Sequence, residues 1–529
     1  MHVCFVTRLT EHLGIQLLAA LLDGAGHRVD HVFDPGLESA GLFPADWNPG
    51  LLNTDEQTIQ MILDTGADMV GFNLEINTFS WSVEIAQKLK SRNPDLKIIV
   101  GGVHATTVPD VVMEFGCFDF LCMGEGDVAF LELLEAMDKN GDTTSIGNIH
   151  ARLPSGEIVK NPVRTLLKNL DDLPFFDKSI HYDLAPEFSR EYHTNTSRGC
   201  VYSCSFCFYQ PIQKVYGSRF RNMRSVDNVC DEMEAAVKAW PSIKTVTFHD
   251  EVFTANSRWL AEFADKWPAR VGLPFSIITH PELVKEETAH HLGKAGCAHV
   301  IMGTQTVNEK SRDMLARTET SEDVRRAVTS LRAQGIWTVV DHILGIPGET
   351  DKDQDDALLF YSSIKPNVIK AFFLTYLPGT DINEQGLESG MWDLERLKAA
   401  ERGHIDSWLF KGVGDIPEWR AYYQLFTLFT VVPPDLMHWA VTKKLHRVMK
   451  VLDPVFLPSL FLLPRVAQSL IGGEEEQPRS YVNYLQGLFR YWTKHRFPDQ
   501  PQLHKAARTL LRPSKEMRTW HAATGSPAW

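Results

Sequence analysis

His193-Thr-Asn-Thr-Ser-Arg-Gly-Cys200-Val-Tyr-Ser-Cys204-Ser-Phe-Cys207 runs from a predicted strand, His193 to Ser197, straight into a loop with three cysteines at spacings of four and three. The chain downstream of this loop sets the fold. Further strands are predicted at Thr245 to His249, Phe275 to Thr279, His299 to Gln305, Thr338 to Ile346 and Ile369 to Tyr376, with helical patterns between them. Parallel neighbours need a crossover helix, so six βα units in a row predict a partial (β/α)6 barrel or a six-stranded parallel sheet. Either fold puts the site on the loops after the strands, and the cysteines occupy the first such loop.

Upstream, short apolar runs at His2 to Val6, Arg28 to Phe33, Met69 to Asn73, Lys97 to Gly102 and Asp119 to Gly124 alternate with helical patterns. They predict an α/β, doubly wound, Rossmann-like domain over residues 1–138. Glycines gather where ligands of such sheets sit: Gly101-Gly102 after one strand, Gly124-Glu125-Gly126 after the next. Residues 139–190 carry turn signals without sustained periodicity and read as a linker. The barrel takes residues 191–382, and residues 383–529 read as a helical, aromatic-rich C-terminal domain.

The 529 residues are 44% hydrophobic and 23% charged, which is ordinary folded composition. With 53 basic against 67 acidic side chains the net charge is −14, so the chain has no general attraction for nucleic acid. No secretory signal and no stretch of about 18 uninterrupted apolar residues is found, which predicts a cytoplasmic protein. In a reducing compartment clustered cysteines are more often ligands than disulfides.

Three thiolates in one short loop suit a zinc site or an iron–sulfur cluster, and a set of three leaves one coordination position open. Buried structural cysteines are the plainer reading. Cys4, Cys117, Cys122, Cys230 and Cys297 lie within predicted strands or helices and look like core.

The loop resembles the signature of the radical S-adenosylmethionine family: three cysteines separated by three and two residues, with an aromatic, here Phe206, before the third. The resemblance extends over about residues 192–381. It implies that Cys200, Cys204 and Cys207 hold a 4Fe-4S cluster whose fourth iron takes S-adenosylmethionine. It further implies that Asp250 and Glu251, after the second strand, receive the methionine amine. Gln305 meets the sulfonium ligand or its ribose, Arg317 is the basic residue of the following helix, and Gly345-Ile-Pro347-Gly348-Glu349-Thr350 contacts adenine. Taken alone, Asp250 and Glu251 also read as a helix N-cap and a solvated charge, Gln305 as a loop amide and Gly345 to Thr350 as a tight turn.

The first domain resembles the cobalamin-binding domain that precedes the radical module in one subgroup, through Gly101, Gly102, His104, Thr106, Gly124, Glu125, Gly126 and Asp127. An Asp-x-His-x-x-Gly cobalt-ligand pattern is missing, so the lower face of the corrin is expected to be free of histidine and to face Asn73 to Asn77, with Glu75 among them. His104 is expected to orient a backbone turn. The layout is similar to the anaerobic magnesium-protoporphyrin monomethyl ester cyclases and hopanoid methylases. It implies cobalamin-dependent methyl transfer to an unactivated carbon of a small or lipophilic substrate, with electrons from a flavodoxin or ferredoxin. Radical cyclisation without methyl transfer, a non-catalytic sensor and a zinc hydrolase are the alternatives. Leu436 to Leu452 reads as a basic amphipathic helix and Val455 to Ile471 is strongly apolar, a combination for peripheral membrane contact or for capping the barrel.

Overall fold

The computed structural model describes residues 1–37, 52–404, 417–429, 432–445 and 486–493. The first sheet contains β1 (His2–Arg8), β2 (Arg28–Asp34), β3 (Met69–Asn73), β4 (Lys97–Gly101), β5 (Phe120–Cys122), β6 (Ile149–Arg152) and β7 (Ile158–Val159), in the spatial order β2-β1-β3-β4-β5-β6-β7. The five strands β1 to β5 are parallel. Both faces are covered. Cys4, Val6, Val70, Phe72, Ile98 and Val100 enter one core, and Val3, Phe5, Met69 and Ile99 enter the other, as a parallel sheet with helices on both faces requires. The order reverses between β1 and β3, the switch point at which such sheets open a crevice beyond their carboxyl ends.

Two departures from the sequence reading lie here. The stretch expected to be a linker contributes β6 and β7, which pair antiparallel and extend the sheet beyond β5. Runs of four and two residues, the first interrupted by the polar His150, are too short to show a period. The helix Asp55–Thr65 was also not foreseen. It is closed by Gly66 in the left-handed region (φ 66) and buries Thr58, Ile59 and Ile62.

The second sheet runs in chain order: β8 (Glu191–Thr194), β11 (Thr245–Phe248), β12 (Phe275–Thr279), β13 (Cys297–Gln305), β14 (Trp337–Leu344) and β15 (Val368–Phe373), all parallel. This is the six-unit partial barrel. The strand expected at His193 to Ser197 is split, because β8 stops at Thr194 and Ser197–Arg198 forms β9, antiparallel to β10 (Asn222–Met223). Tyr192, Val246, Phe248, Phe275, Val300, Met302, Val340 and Ile369 share the core beneath the outer helices. Alternation then turns His193, Thr247, Ile301, Gly303, Asp341 and Lys370 to the other face, inside the curve.

The helix Pro417–Leu428 joins that same core through Trp419, Tyr422, Tyr423 and Phe426, and Tyr422 donates to the Asp351 carbonyl at 3.0 Å. The basic helix expected from Leu436 runs as Pro434–Thr442. Lys443 caps this helix and Lys444 has φ 56, so the helix ends there. Residues 446–452 and the apolar stretch 455–471 lie outside the described residues. Leu436 and Trp439 are exposed, while Met437 and Val441 face inward. Among the described residues no helix is long and apolar enough to cross a membrane.

Candidate active site at the junction of the two sheets

The cysteine loop begins at Gly199, whose φ of 94° is open to glycine and whose Cβ would strike the Phe220 carbonyl. Cys204 is buried, and Cys200 and Cys207 are half-buried. The loop is pinned from three sides. Ser205 donates its N–H to the Leu315 carbonyl at 3.1 Å and its hydroxyl to Met314 at 2.8 Å, and its own carbonyl accepts from Ile382 N–H at 3.0 Å. Gln213 Nε2 donates to the carbonyls of Cys200 (3.0 Å) and Tyr202 (2.8 Å). Tyr202 N–H points at Cys200 Sγ at 3.4 Å, and Arg317 Nη1 lies 3.7 Å from Cys204 Sγ. Burial pushes the Cys200 thiol up to about 11 and that of Cys207 higher, with Glu251 adding to both.

Among the described residues no three His, Cys, Asp or Glu side chains converge on one metal-ion position. A tetrahedral zinc needs that convergence. A cubane does not, since each thiolate takes a different iron, and Arg317 supplies positive charge beside the sulfurs. The donor set therefore fits a cluster with three protein ligands better than a single ion.

The other barrel-side candidates gather around this loop. Phe206 packs against the apolar cluster of Leu315, Ile343, Ile346, Leu374, Tyr376 and Ile382, which joins the cysteine loop to the segments after β13, β14 and β15. Gln305 ends β13 with φ 63, after a register shift between Gly303 and Gln305. Gln305 folds back over Gly303, its Nε2 2.5 Å from where a Cβ would stand, so a side chain at 303 would push the Gln305 amide aside. Arg317 donates to the Gly303 carbonyl, which brings Gly303, Gln305, Arg317 and Cys204 together. In the next turn Gly345 and Gly348 have φ 83 and 82 about Pro347. Glu349 fastens that turn by accepting from Thr306 Oγ1 at 2.5 Å and Gln354 Nε2 at 2.9 Å. Glu251 is half-buried and raised to about 7 by burial, with Asp250 adding.

Asp250 departs from its expected part. Its carboxylate accepts Thr196 N–H at 2.8 Å, Thr196 Oγ1 at 2.7 Å and Ser197 Oγ, and it is 1% exposed. It fixes the bend between β8 and β9, where the sequence reading placed it toward the methionine amine.

Opposite the cysteine loop lies a cavity of about 400 Å³ between the two sheets. One wall is the switch point of the first domain: Gly71, Asn73, Gly101, Gly102, Gly124, Glu125 and Gly126. The other wall carries Arg198, Gly199, Tyr209 and Tyr216, and the floor is apolar with Phe5, Leu17, Leu18, Ile99 and Phe130. The glycines leave room that side chains would fill. A Cβ on Gly102 would strike Asn73 Oδ1 and one on Gly124 would strike Tyr216 Oη, both at positive φ (95 and 66), whereas one on Gly101 would meet nothing nearer than 3.6 Å. Thr106 Oγ1 accepts from Gly124 N–H at 2.9 Å, and Tyr216 Oη accepts from Glu125 N–H at 2.9 Å. Arg198 reaches across to Glu125 Oε2 at 3.0 Å and to Asp127, locking the two walls together.

Two sequence candidates stand apart. His104 does not line the cavity; its Nε2 lies 3.0 Å from the Glu401 carbonyl and its ring 4.6 Å from Phe79. Glu75 also lies outside the lining, half exposed, with its carboxylate 3.5 Å from His12 Nδ1. Sequence reasoning overlooked Arg198 and Tyr216, although Arg198 stands two residues before Cys200. It also missed a polar relay between the domains. Fully buried Lys178 donates to Glu11 at 2.9 Å and Gln16 at 2.8 Å, and Glu11 lies 3.7 Å from His193 Nε2. His193 Nδ1 in turn lies 2.8 Å from His249 Nε2. Burial works to raise the Glu11 carboxyl, but Lys178 and the histidines hold it down at about 2. His249 is kept near 4 by burial and by His193.

Residues 194–360 match the radical SAM superfamily, and residues 6–134 match the B12 binding domain. The chain thus carries a B12 binding domain followed by a radical SAM domain. Two solved structures of similar fold hold such groups: TsrM from Kitasatospora setae holds cobalamin and a [4Fe-4S] cluster, and OxsB holds aqua-cobalamin and S-adenosylmethionine. An uncharacterized methyltransferase of Pyrococcus horikoshii is 24% identical over 334 residues, covering 61% of this chain and 70% of its own. The anaerobic magnesium-protoporphyrin IX monomethyl ester cyclase of Rubrivivax gelatinosus is 26% identical over 357 residues, covering 65% and 63%. The hopanoid C-3 methylase of Methylococcus capsulatus is 24% identical over 388 residues, covering 70% and 68%. The fold matches that of the cobalamin-dependent S-adenosylmethionine radical enzyme OxsB with a TM-score of 0.64 at 14% identity, over 98% of this chain and 82% of that one. The three cysteines and Gly345 to Thr350 fall within the radical SAM domain, and the glycine wall falls within the B12 binding domain.

Proposed function

We propose that this chain is a methyltransferase that moves a methyl group onto an unactivated carbon of a small molecule held between its two sheets. The observation that carries this reading is the shared cavity. Gly199, immediately before the first cysteine, and Tyr209, two residues past the third, face the glycine wall of the B12 binding domain. When bound, the cluster with S-adenosylmethionine supplies a carbon-centred radical that can remove hydrogen from an unactivated carbon, and cobalamin supplies a methyl group. The chain's own part is positioning and the exclusion of water.

In this reading Cys200, Cys204 and Cys207 hold three corners of the cluster. Gln305, at the end of β13, and Arg317, in the loop after the helix Glu309–Met314, address the sulfonium ligand, Gly345 and Pro347 shape the turn that takes its adenine, and Glu251 faces the methionine amine. Gly101, Gly102, Gly124 and Gly126 let the backbone approach a flat macrocycle, while Arg198 holds the walls together and the apolar floor keeps water out. Glu11 orients His193, and His193 orients His249, which ties the two domains together beside the cavity. Low-potential electrons from a flavodoxin or ferredoxin are part of the same proposal. A bound substrate drawn from a small-molecule extract and treated with S-adenosylmethionine carrying a trideuterated methyl group should leave as a product about 17 mass units heavier. Turnover to 5′-deoxyadenosine and an unlabelled, oxidised product would replace methyl transfer with cyclase-type chemistry, the activity named for the Rubrivivax gelatinosus relative.

A further inference from the structure

Behind the cysteine loop Arg317 is tied to buried groups, Glu319 and His280, that the proposed methyl transfer does not use. Arg317, whose Nη1 lies 3.7 Å from Cys204 Sγ, is held by Glu319 through its Nε at 2.9 Å and its Nη2 at 2.8 Å. The Glu319 side chain has no exposed surface, and that of Arg317 is 6% exposed. The second Glu319 oxygen lies 3.2 Å from Nε2 of His280, itself 3% exposed. Glu282 N–H points at His280 Nδ1 at 3.4 Å, which makes Nδ1 the acceptor and leaves the ring proton on Nε2, facing Glu319. Burial drives His280 toward its neutral form. The His280 ring is stacked at 4.0 Å and 16° on Tyr202, which lies between the first two cysteines. Arg317 and Glu319 therefore form a buried pair of zero net charge beside the thiolates, with the partly exposed Glu282 carboxylate at its rim, 3.3 Å from Tyr202 Oη and 3.9 Å from His280 Nδ1.

A guanidinium beside a cluster sulfur favours the reduced, more negative cluster, and a buried charge is little screened by salt. Resting on the reading that these cysteines hold a cluster, we propose that Glu319 is a charge-compensating and positioning residue. It cancels Arg317 so that the cluster stays strongly reducing, and it aims the guanidinium at Cys204 and the Gly303 carbonyl. Cluster potentials depend on net local charge and on hydrogen bonds to sulfur, and Glu319 governs both here. The neutral amide of E319Q keeps the shape and removes only the negative charge.

The test is a redox titration of the cobalamin-loaded, reconstituted protein without S-adenosylmethionine, followed by electron paramagnetic resonance of the reduced cluster. At the potential where the wild type is half reduced, E319Q should show a reduced-to-oxidised ratio about tenfold higher, a rise of about 59 mV for one electron. R317Q should shift the ratio the other way, and the R317Q/E319Q double variant should return close to the wild-type potential. That return separates charge compensation from loss of structure, because two independent structural lesions would not cancel. A loaded E319Q with an unchanged or lower potential, or a double variant that fails to return, overturns the role of Glu319 while leaving the cluster intact. If E319Q loses iron, R317Q and the double variant decide the matter by the same criterion. A wild-type protein that takes up no iron refutes the cluster reading itself.

Discussion

The cysteine loop, which adjoins the cavity through Gly199 and Tyr209, and the glycine wall that faces it are built on opposite principles. On the barrel side the chemistry lies in side chains: three thiols on a loop pinned by Ser205, Gln213 and Arg317. On the other side it lies in side chains that are missing, so that the backbone of Gly101, Gly102, Gly124 and Gly126 forms the surface. The first wall is specified by what each residue can donate. The second is specified by what would collide if a methyl group were added. A ligand bound by donors is lost when one donor is removed, whereas a ligand bound by shape is lost in proportion to the volume that intrudes.

The sharpest way to break the comparison is to exchange cysteines between the walls. C204S should lose the iron and the absorbance near about 400 nm, and 5′-deoxyadenosine formation should fall by more than about a hundredfold. C122S, at a cysteine that lines the glycine wall, should keep both. Iron analysis and product quantitation read the difference, and equal loss from both variants would show that the thiol set is wrongly assigned. The next effect belongs to the glycines. G124A places a methyl group against Tyr216 Oη at a positive φ, and cobalamin retention after gel filtration should drop about tenfold while iron stays constant. G101A meets no atom nearer than 3.6 Å and has no such backbone demand, so its loss of cobalamin should be clearly smaller. Equal losses from the two alanines would mean that the wall does not work through shape.

The same contrast explains what could be read from the sequence. The cysteine loop was legible because its meaning lies in residue type and local spacing, and the six βα units because each carries its own period. The glycine turns were legible as positions but not as a wall, since facing Gly199 and Tyr209 depends on how two domains meet. Arg198 gave no signal for the same reason: its partners, Glu125 and Asp127, lie about 70 residues upstream. The bonds of Asp250 were not legible, because an acidic residue at a strand end looks the same in sequence whether or not its carboxylate is engaged, as here, by the Thr196 backbone and two hydroxyls. β6 and β7 escaped because a six-residue contribution to a sheet is visible only from its partner strands. His249 ends a predicted strand, yet its contact with His193, and through it with Glu11, spans nearly 240 residues of sequence.

The smallest expected effect sharpens the barrel side of the comparison, where side chains carry charge as well as donors. Glu349 is 9% exposed, and burial raises its carboxyl to about 7, the hydrogen bonds from Thr306 and Gln354 only partly opposing this. The unfolded chain titrates the same group near 4.5, so between about 4.5 and 7 the folded protein holds a proton that the unfolded chain has released. This group's contribution therefore makes folding most favourable below that window, and stability declines as pH rises through it. A shift of this size corresponds to at most about 3 kcal/mol. E349Q mimics the protonated carboxyl at every pH, so it should match the wild type at pH 5 and melt a few degrees higher at pH 8. Differential scanning calorimetry of both proteins at the two pH values reads the gap. If the curves stay parallel, Glu349 is ionised throughout and the turn after β14 is held by a charged carboxylate. The barrel wall would then resemble the Arg198 clamp more than the neutral, shape-defined surface it faces.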